Sequence, residues 1–266
     1  MSTTHTTTPY AAGYAAAFDL TGTTALVTGA RRGIGLAMAD ALAAAGADII
    51  AVSAHLESHG SAVEAAVTAY GRRFRALTCD FADVEAVAAL AEHVASDERV
   101  DILVNNAGTI YREPAAVHDL GQFERVLTVN LTSQFALTQA LARPMLERGW
   151  GKVVFTASLL SFQGGINVPG YTSSKSAVAG LTRALANEWA PGGVNVNAIA
   201  PGYIATDNTQ ALQDDPERSA AIVGRIPAGR WGRAQDLAGA TVFLASHASD
   251  YVDGVVLPVD GGWLGR

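Results

Sequence analysis

The sequence predicts an α/β fold, a single doubly wound parallel sheet of seven strands with helices on both faces. Two observations predict it. From Thr24 onward, short β-branched runs alternate with longer Ala- and Leu-rich segments, as successive strand–helix units do around a parallel sheet. Most of the short runs are apolar throughout instead of alternating with polar residues, so helices must cover both sheet faces. A third observation bounds the class: 49% of the residues are apolar and 16% are charged. No apolar run approaches the roughly 20 residues that cross a bilayer, so a soluble globular chain is expected.

Taken in chain order, residues 1–18 are rich in Thr and Ala and carry no helical or strand period; segment 1–19 is expected to be a mobile tail. The first strand is Ala25-Leu26-Val27, and the Ala-rich segment 34–45 after it repeats apolar residues at three- and four-residue spacing, the mark of a helix. The same two patterns place strands at 49–52, 74–77, 102–104, 153–155, 194–199 and 255–257, and helices at 61–70, 83–96, 120–148, 171–189 and 235–246. No linker, charge block or repeat divides residues 20–266, which read as one domain. The Pro- and Gly-containing stretch 201–233 follows a strand's carboxyl end, where open α/β sheets bind ligands, and is expected to act as a flap over the substrate.

Net charge is −7 and the pI is about 5.3, and basic residues cluster only in pairs such as Arg31-Arg32 and Arg72-Arg73. A nucleic-acid partner is therefore not expected. The single cysteine, Cys79, cannot form an internal disulfide and is expected as a small buried residue at a strand end. Residues 1–19 lack the basic start and apolar core of a secretion signal, so a cytoplasmic location is expected. No metal site is expected.

The chemistry begins after the first strand, at Thr28-Gly29-Ala30-Arg31-Arg32-Gly33-Ile34-Gly35. Glycine there permits a tight turn and close approach of a pyrophosphate to backbone N–H groups, and the following helix contributes its amino-terminal partial charge. Gly-rich turns also serve purely steric ends, so the loop alone is a weak signal. Its GxxxGxG spacing resembles the short-chain dehydrogenase/reductase family. Asp101-Ile102-Leu103-Val104-Asn105-Asn106-Ala107-Gly108 is similar to that family's NNAG element, and Asp80, followed by Phe81, matches an acid beside the adenine ring. The resemblance implies a Rossmann-type fold and an NAD(P) cofactor held by Gly29, Arg31, Arg32, Gly33, Ile34, Gly35, Ser53, Asp80, Phe81, Asn106, Ala107 and Gly108. It adds Tyr171 and Lys175, and Pro201, Gly202, Ile204 and Thr206 from the segment beside the carboxamide.

An Asp at position 53 would chelate the ribose hydroxyls of NAD and repel a 2′-phosphate; Ser53 does neither, and Arg31 or Arg32 could pair with that phosphate. Charge therefore favours NADP, whereas the most similar subfamily favours NAD.

Ser158 lies just past the fifth strand, and thirteen residues later Tyr171-Thr172-Ser173-Ser174-Lys175 opens a helix. Tyr171 and Lys175 share one helix face, a turn apart. The chain uses sixteen arginines but only two lysines, Lys152 and Lys175, which suggests lysine is kept where a compact ammonium is needed. An ammonium beside a phenol favours the tyrosinate; lowering a tyrosine pKa by about two units from near 10 takes roughly 2.7 kcal/mol. The family resemblance assigns Tyr171 the proton transfer, Ser158 a hydrogen bond to the reacting oxygen, Lys175 the nicotinamide ribose, and Asn130 a side chain holding a water that links the lysine to solvent. From its residue type alone, Asn130 can equally be bonded to its own backbone.

The carboxyl half, through 161–165, 186–190, 208–210 and 225–232, resembles the 2-deoxy-D-gluconate 3-dehydrogenases, also called 2-dehydro-3-deoxy-D-gluconate 5-dehydrogenases, with gluconate 5-dehydrogenases as neighbours. A sugar-acid substrate is thus implied. Its carboxylate needs a cationic or multi-donor partner, for which Arg112 and Gln163 are placed. A 3-oxoacyl or other carbonyl reductase of the same family is the alternative. A non-catalytic dinucleotide sensor would be signalled by loss of Tyr171 or Lys175, and neither is lost. The resemblance also implies a homotetramer joined partly through residues 235–266.

Overall fold

The protein is described by a computed structural model covering residues 13–266. All seven strands form: β1 (Thr24–Thr28), β2 (Asp48–Ser53), β3 (Phe74–Thr78), β4 (Ile102–Asn105), β5 (Gly151–Thr156), β6 (Val194–Pro201) and β7 (Val256–Val259). They make one parallel sheet in the order β3-β2-β1-β4-β5-β6-β7. The order reverses between β1 and β4, which opens a crevice beyond their carboxyl ends.

Successive residues of a strand face opposite sides, and in the five inner strands both sides are buried. In β1, Leu26 joins the core packed by α3 (Val84–Asp97), α5 (Ser133–Arg148) and α6 (Pro169–Trp189), while Ala25 and Val27 join the core under α1 (Gly33–Ala44), α2 (Ala62–Ala69) and α9 (Ala238–Ala245). This two-sided burial is why the strands read as unbroken apolar runs. Ser61, Asp83 and Asp119 each accept a backbone N–H three residues on, which starts α2, α3 and α4 (Leu120–Leu127) where their sequences turn apolar.

The structure corrects two expectations. Residues 14–18, assigned with the tail, form a 3₁₀ turn in which Ala17 is buried and Phe18 packs on Phe243 with ring centroids 6.5 Å apart; residues 1–12 lie outside the described residues. The helix expected over 120–148 is broken by a π turn at Thr128–Thr132 between α4 and α5, placing one extra residue per turn at Asn130. Segment 201–233 carries the short helices α7 (Gln210–Gln213) and α8 (Pro216–Arg225). It is seated through Ile222 and Ile226 on Leu159 and Trp263. Cys79 follows β3 and is buried, and burial raises its thiol pKa. Among the described residues no helix is long and apolar enough to cross a membrane.

Candidate active site

Residues 29–32 cross from β1 to α1 in four steps. Gly29 has φ 66°, and a Cβ there would stand 2.9 Å from Asn106 Nδ2; at Gly35 it would collide with the Gly29 carbonyl oxygen. Glycine is thus required for α1 to start flush against the strand end, with bare N–H groups and the helix amino end facing the crevice. At Gly33 a Cβ would meet only Thr206, at 3.7 Å, so segment 201–233 approaches the loop there. The cradle fits a dinucleotide pyrophosphate.

At the end of β2, the Ser53 hydroxyl accepts the Arg31 N–H at 3.2 Å. The guanidinium of Arg31 is held by Glu57, with Nη2 to Oε1 at 2.7 Å and Nε to the two carboxylate oxygens at 3.2 and 3.3 Å. Arg32 is paired with Asp207 of segment 201–233. Both cations anticipated for a 2′-phosphate therefore already have carboxylate partners. Asp80 is exposed and uses Oδ1 to accept Ala82 N–H at 2.9 Å. Phe81 turns inward, with its ring in the core and its carbonyl accepting the Ser133 hydroxyl at 2.7 Å, so its side chain does not reach the crevice.

The floor is built by a residue the sequence reading left without a role. The buried Thr28 hydroxyl accepts the N–H groups of Asn106 and Ala107, each at 2.9 Å, and donates to the Val104 carbonyl at 3.3 Å. Asn106 returns its amide to the Thr28 carbonyl at 3.1 Å and accepts from Thr156 at 3.3 Å. Gln134 of α5 donates to the Ala107 carbonyl. The NNAG segment is thereby locked to the glycine loop. Thr28 offered only a threonine at a strand end as its signal, and Gln134 and Glu57 offered none.

Asn130 is fully buried. Its Oδ1 accepts Thr109 N–H at 2.8 Å, and its Nδ2 donates to the Thr109 carbonyl at 2.9 Å and to Ser174 Oγ at 3.0 Å. Both amide hydrogens are used, so the side chain clamps the loop after β4 onto α6, and its Oδ1, with one donor bound, keeps a second acceptor position. Proline at the first position of α6 starts that helix two residues earlier than expected and presents Tyr171 and Lys175 from its first turns.

Ser158, Tyr171 and Lys175 do converge. The Ser158 side chain acts on the Tyr171 hydroxyl, favouring its phenolate, and the Lys175 ammonium lies 5.7 Å from the Tyr171 ring centre. Ser158 is set by its own turn, accepting Leu160 N–H at 3.2 Å while Ser161 Oγ accepts Ser158 N–H at 3.3 Å. Lys175 donates to the Thr156 carbonyl at 2.6 Å, the one acceptor it has among the described residues. Gly108 stands between them: a Cβ there would be 3.4 Å from Asn130 Oδ1 and 3.9 Å from Lys175 Nζ.

Electrostatically, burial lowers the Lys175 pKa to about 8. Burial raises that of Tyr171, opposed by the Ser158 hydrogen bond and by the positive charge of Arg112. The chain alone therefore does not lower the phenol, as its sequence suggested; desolvation outweighs the nearby charge. Arg112 also donates to the Asn208 carbonyl at 3.4 Å, tying the loop after β4 to segment 201–233. Gln163 accepts Trp263 Nε1–H at 3.4 Å, on the opposite rim. Gly202 N–H binds the Val259 carbonyl at 3.0 Å, and Ile204 is buried against Gly232. The segment following Pro201 is thus held at the crevice edge.

A doubly wound sheet, a glycine cradle at its switch point and a serine–tyrosine–lysine cluster beside it define a dinucleotide-dependent oxidoreductase. Residues 29–264 match the family described as enoyl-(acyl carrier protein) reductase. The 2-dehydro-3-deoxy-D-gluconate 5-dehydrogenase of Pseudoalteromonas atlantica is 59% identical over 94% of this chain and 98% of its own. That of Bacillus subtilis is 56% identical over the same shares. A solved structure from Agrobacterium tumefaciens, assigned as a 2-deoxy-D-gluconate 3-dehydrogenase with bound NADP, is 51% identical. It superposes with a TM-score of 0.89 over 94% of this chain and 99% of that one. A gluconate 5-dehydrogenase from Burkholderia cenocepacia, in complex with NADP and tartrate, is 36% identical with a TM-score of 0.85, over 94% and 98%. The chain belongs to the short-chain dehydrogenase/reductase family and is an NAD(P)-dependent oxidoreductase.

Proposed function

We propose that the protein interconverts a secondary hydroxyl and a ketone on a sugar acid of the deoxygluconate or gluconate type, with NADP as its cofactor and Tyr171 as the proton-transferring residue. The observation that carries this reading is the convergence of Tyr171 with Ser158 and Lys175, with the cation Arg112 close enough to act on the same phenol. The relatives named above act on sugar acids, and two of the structures hold NADP.

In oxidation Tyr171 takes the hydroxyl proton; in reduction it returns a proton to the nascent alkoxide. Ser158 donates a hydrogen bond to the same oxygen and orients it. When bound, the nicotinamide supplies the hydride acceptor or donor. Lys175, with donors to spare beyond Thr156, holds the ribose hydroxyls, and Asn130 keeps Thr109 and Ser174 in place around it. Because burial raises the phenol's pKa, Tyr171 by itself rests protonated, ready to act as the acid of reduction. The positive charges of Arg112 and Lys175 favour the phenolate that oxidation needs.

Arg112 receives the substrate carboxylate and Gln163 a hydroxyl, under a flap formed by 201–233. The glycine cradle with Ile34, and the edge segment of Gly202, Ile204 and Thr206, hold the cofactor along its length. Assembly is a homotetramer using 235–266, which light scattering of the purified protein tests.

Tyr171→Phe tests the mechanism. The variant should still bind cofactor while turnover of sugar acids, followed by nicotinamide absorbance, falls at least about 100-fold. Undiminished turnover, or activity confined to 3-oxoacyl substrates in the unmodified enzyme, would overturn the proposal.

A further inference from the structure

We propose that Glu57 sets the balance between NADP and NAD by holding Arg31 back from the adenosine 2′-phosphate. The inference rests on the reading above that NADP is the cofactor and that Arg31 or Arg32 meets this phosphate; of the two, Arg31 is the one fastened to Ser53 at the end of β2.

The arrangement around Glu57 is built, not incidental. Leu56, next to it, is buried at 6% exposure, its N–H bonds the Ser53 carbonyl at 3.4 Å, and its carbonyl accepts the Thr78 hydroxyl at 3.4 Å. The chain after β2 is therefore folded back into a turn plugged by Leu56. That turn aims Glu57 at the guanidinium of Arg31, whose own N–H is fastened to Ser53 Oγ at 3.2 Å. Three nitrogen–oxygen contacts of 2.7, 3.2 and 3.3 Å join the two side chains. With Arg31 as partner the carboxyl group's pKa falls to about 2, so it is an anion at every working pH.

Two consequences follow for a ligand at Ser53. A 2′-phosphate must displace Glu57 from Arg31 or share the cation with it, and it does so beside a carboxylate of its own sign. A ribose bearing only hydroxyls meets neither obstacle. Arg31 is thus a phosphate-binding cation restrained by an internal competitor, and the chain keeps affinity for both cofactors. Both side chains are 46% exposed, so Glu57 can swing out when phosphate takes its place. Removing a unit charge about 4 Å away in high dielectric corresponds to roughly a fivefold change in affinity.

The test is calorimetric titration with 2′,5′-ADP and 5′-AMP, which carry the discriminating end of each cofactor and need no turnover. Glu57→Gln should tighten 2′,5′-ADP about fivefold, leave 5′-AMP unchanged, and lose most of the gain at high salt. Unchanged or weaker 2′,5′-ADP binding, or an equal gain for 5′-AMP, would overturn it. In an Arg31→Gln background the Glu57→Gln gain should vanish, since there is then no cation to release; a gain that persists would also overturn it. The cofactor reading fails separately: if Arg31→Gln alone does not weaken 2′,5′-ADP, Arg31 is not the 2′-phosphate partner and both ideas fall. If Arg31→Gln weakens it while Glu57→Gln changes nothing, only the role of Glu57 is lost.

Discussion

Replacing Thr28 by valine keeps a branched side chain of nearly the same shape and removes a single oxygen. That oxygen is fully buried and is the acceptor for the N–H groups of Asn106 and Ala107, each at 2.9 Å. The same hydroxyl also donates to the Val104 carbonyl at 3.3 Å, which loses its partner with it. A buried donor left without an acceptor costs about 1–3 kcal/mol. Ala107 is buried and Asn106 only partly so, which lets water recover some of the second loss, and the two together come to about 3 kcal/mol. Urea unfolding followed by circular dichroism at one fixed protein concentration measures it. With a slope of about 3 kcal/mol per molar for a chain of this length, the midpoint should fall by about 1 M with the slope unchanged. Cofactor affinity should fall as well, since the same bonds lock the NNAG segment to the glycine loop. A midpoint within about 0.2 M of the parent would refute the view that Thr28 holds the crevice floor together.

Lys175 should leave a signature in the pH dependence of stability. Its pKa drops from 10.5 to about 8 in the folded cofactor-free chain, so between those values the unfolded state binds the proton and the folded state does not. Relative to Lys175→Met, stability should therefore rise with pH across that window by up to about 3 kcal/mol, read from urea midpoints; a pH-independent difference would contradict the burial. Lys152, fully buried at the amino ends of β5 and β6, donates to Asn195 Oδ1 and Asp250 Oδ1, each at 2.7 Å. Lys152→Met should cost about 2 kcal/mol, less than for a wholly buried pair because Asp250 is half-exposed and keeps His247 at 2.9 Å. Turnover per folded molecule should not change, since the cluster lies at the end of the sheet opposite Ser158; a lower kcat would show long-range coupling.

Much of this molecule is written locally. The inner strands are largely apolar because both their faces are covered, while the edge strands β3 and β7 are more open, and the helices keep their three- and four-residue apolar spacing because one face packs on the sheet. Those periodicities survive in the bare sequence, and so does the order in which Gly29, Ser158, Tyr171 and Lys175 follow their strands. The doubly wound sheet and the side chains gathered at its switch point are therefore legible in the chain itself.

Pairings between residues far apart in the chain arise only on folding. Thr28 meets Asn106 and Ala107 across 78 and 79 positions, and Arg32 meets Asp207 across 175. No periodicity records such distances. Asn130 became a clamp because a π turn brought its amide against Thr109 and Ser174. Arg31 became a restrained cation because the turn after β2 returned Glu57 to it. The phenol of Tyr171 was pushed up instead of down because burial, which no single residue encodes, outweighs the charges beside it. Local sequence sets which groups are present; three-dimensional packing sets which are desolvated and which are already paired, and those two conditions govern their chemistry.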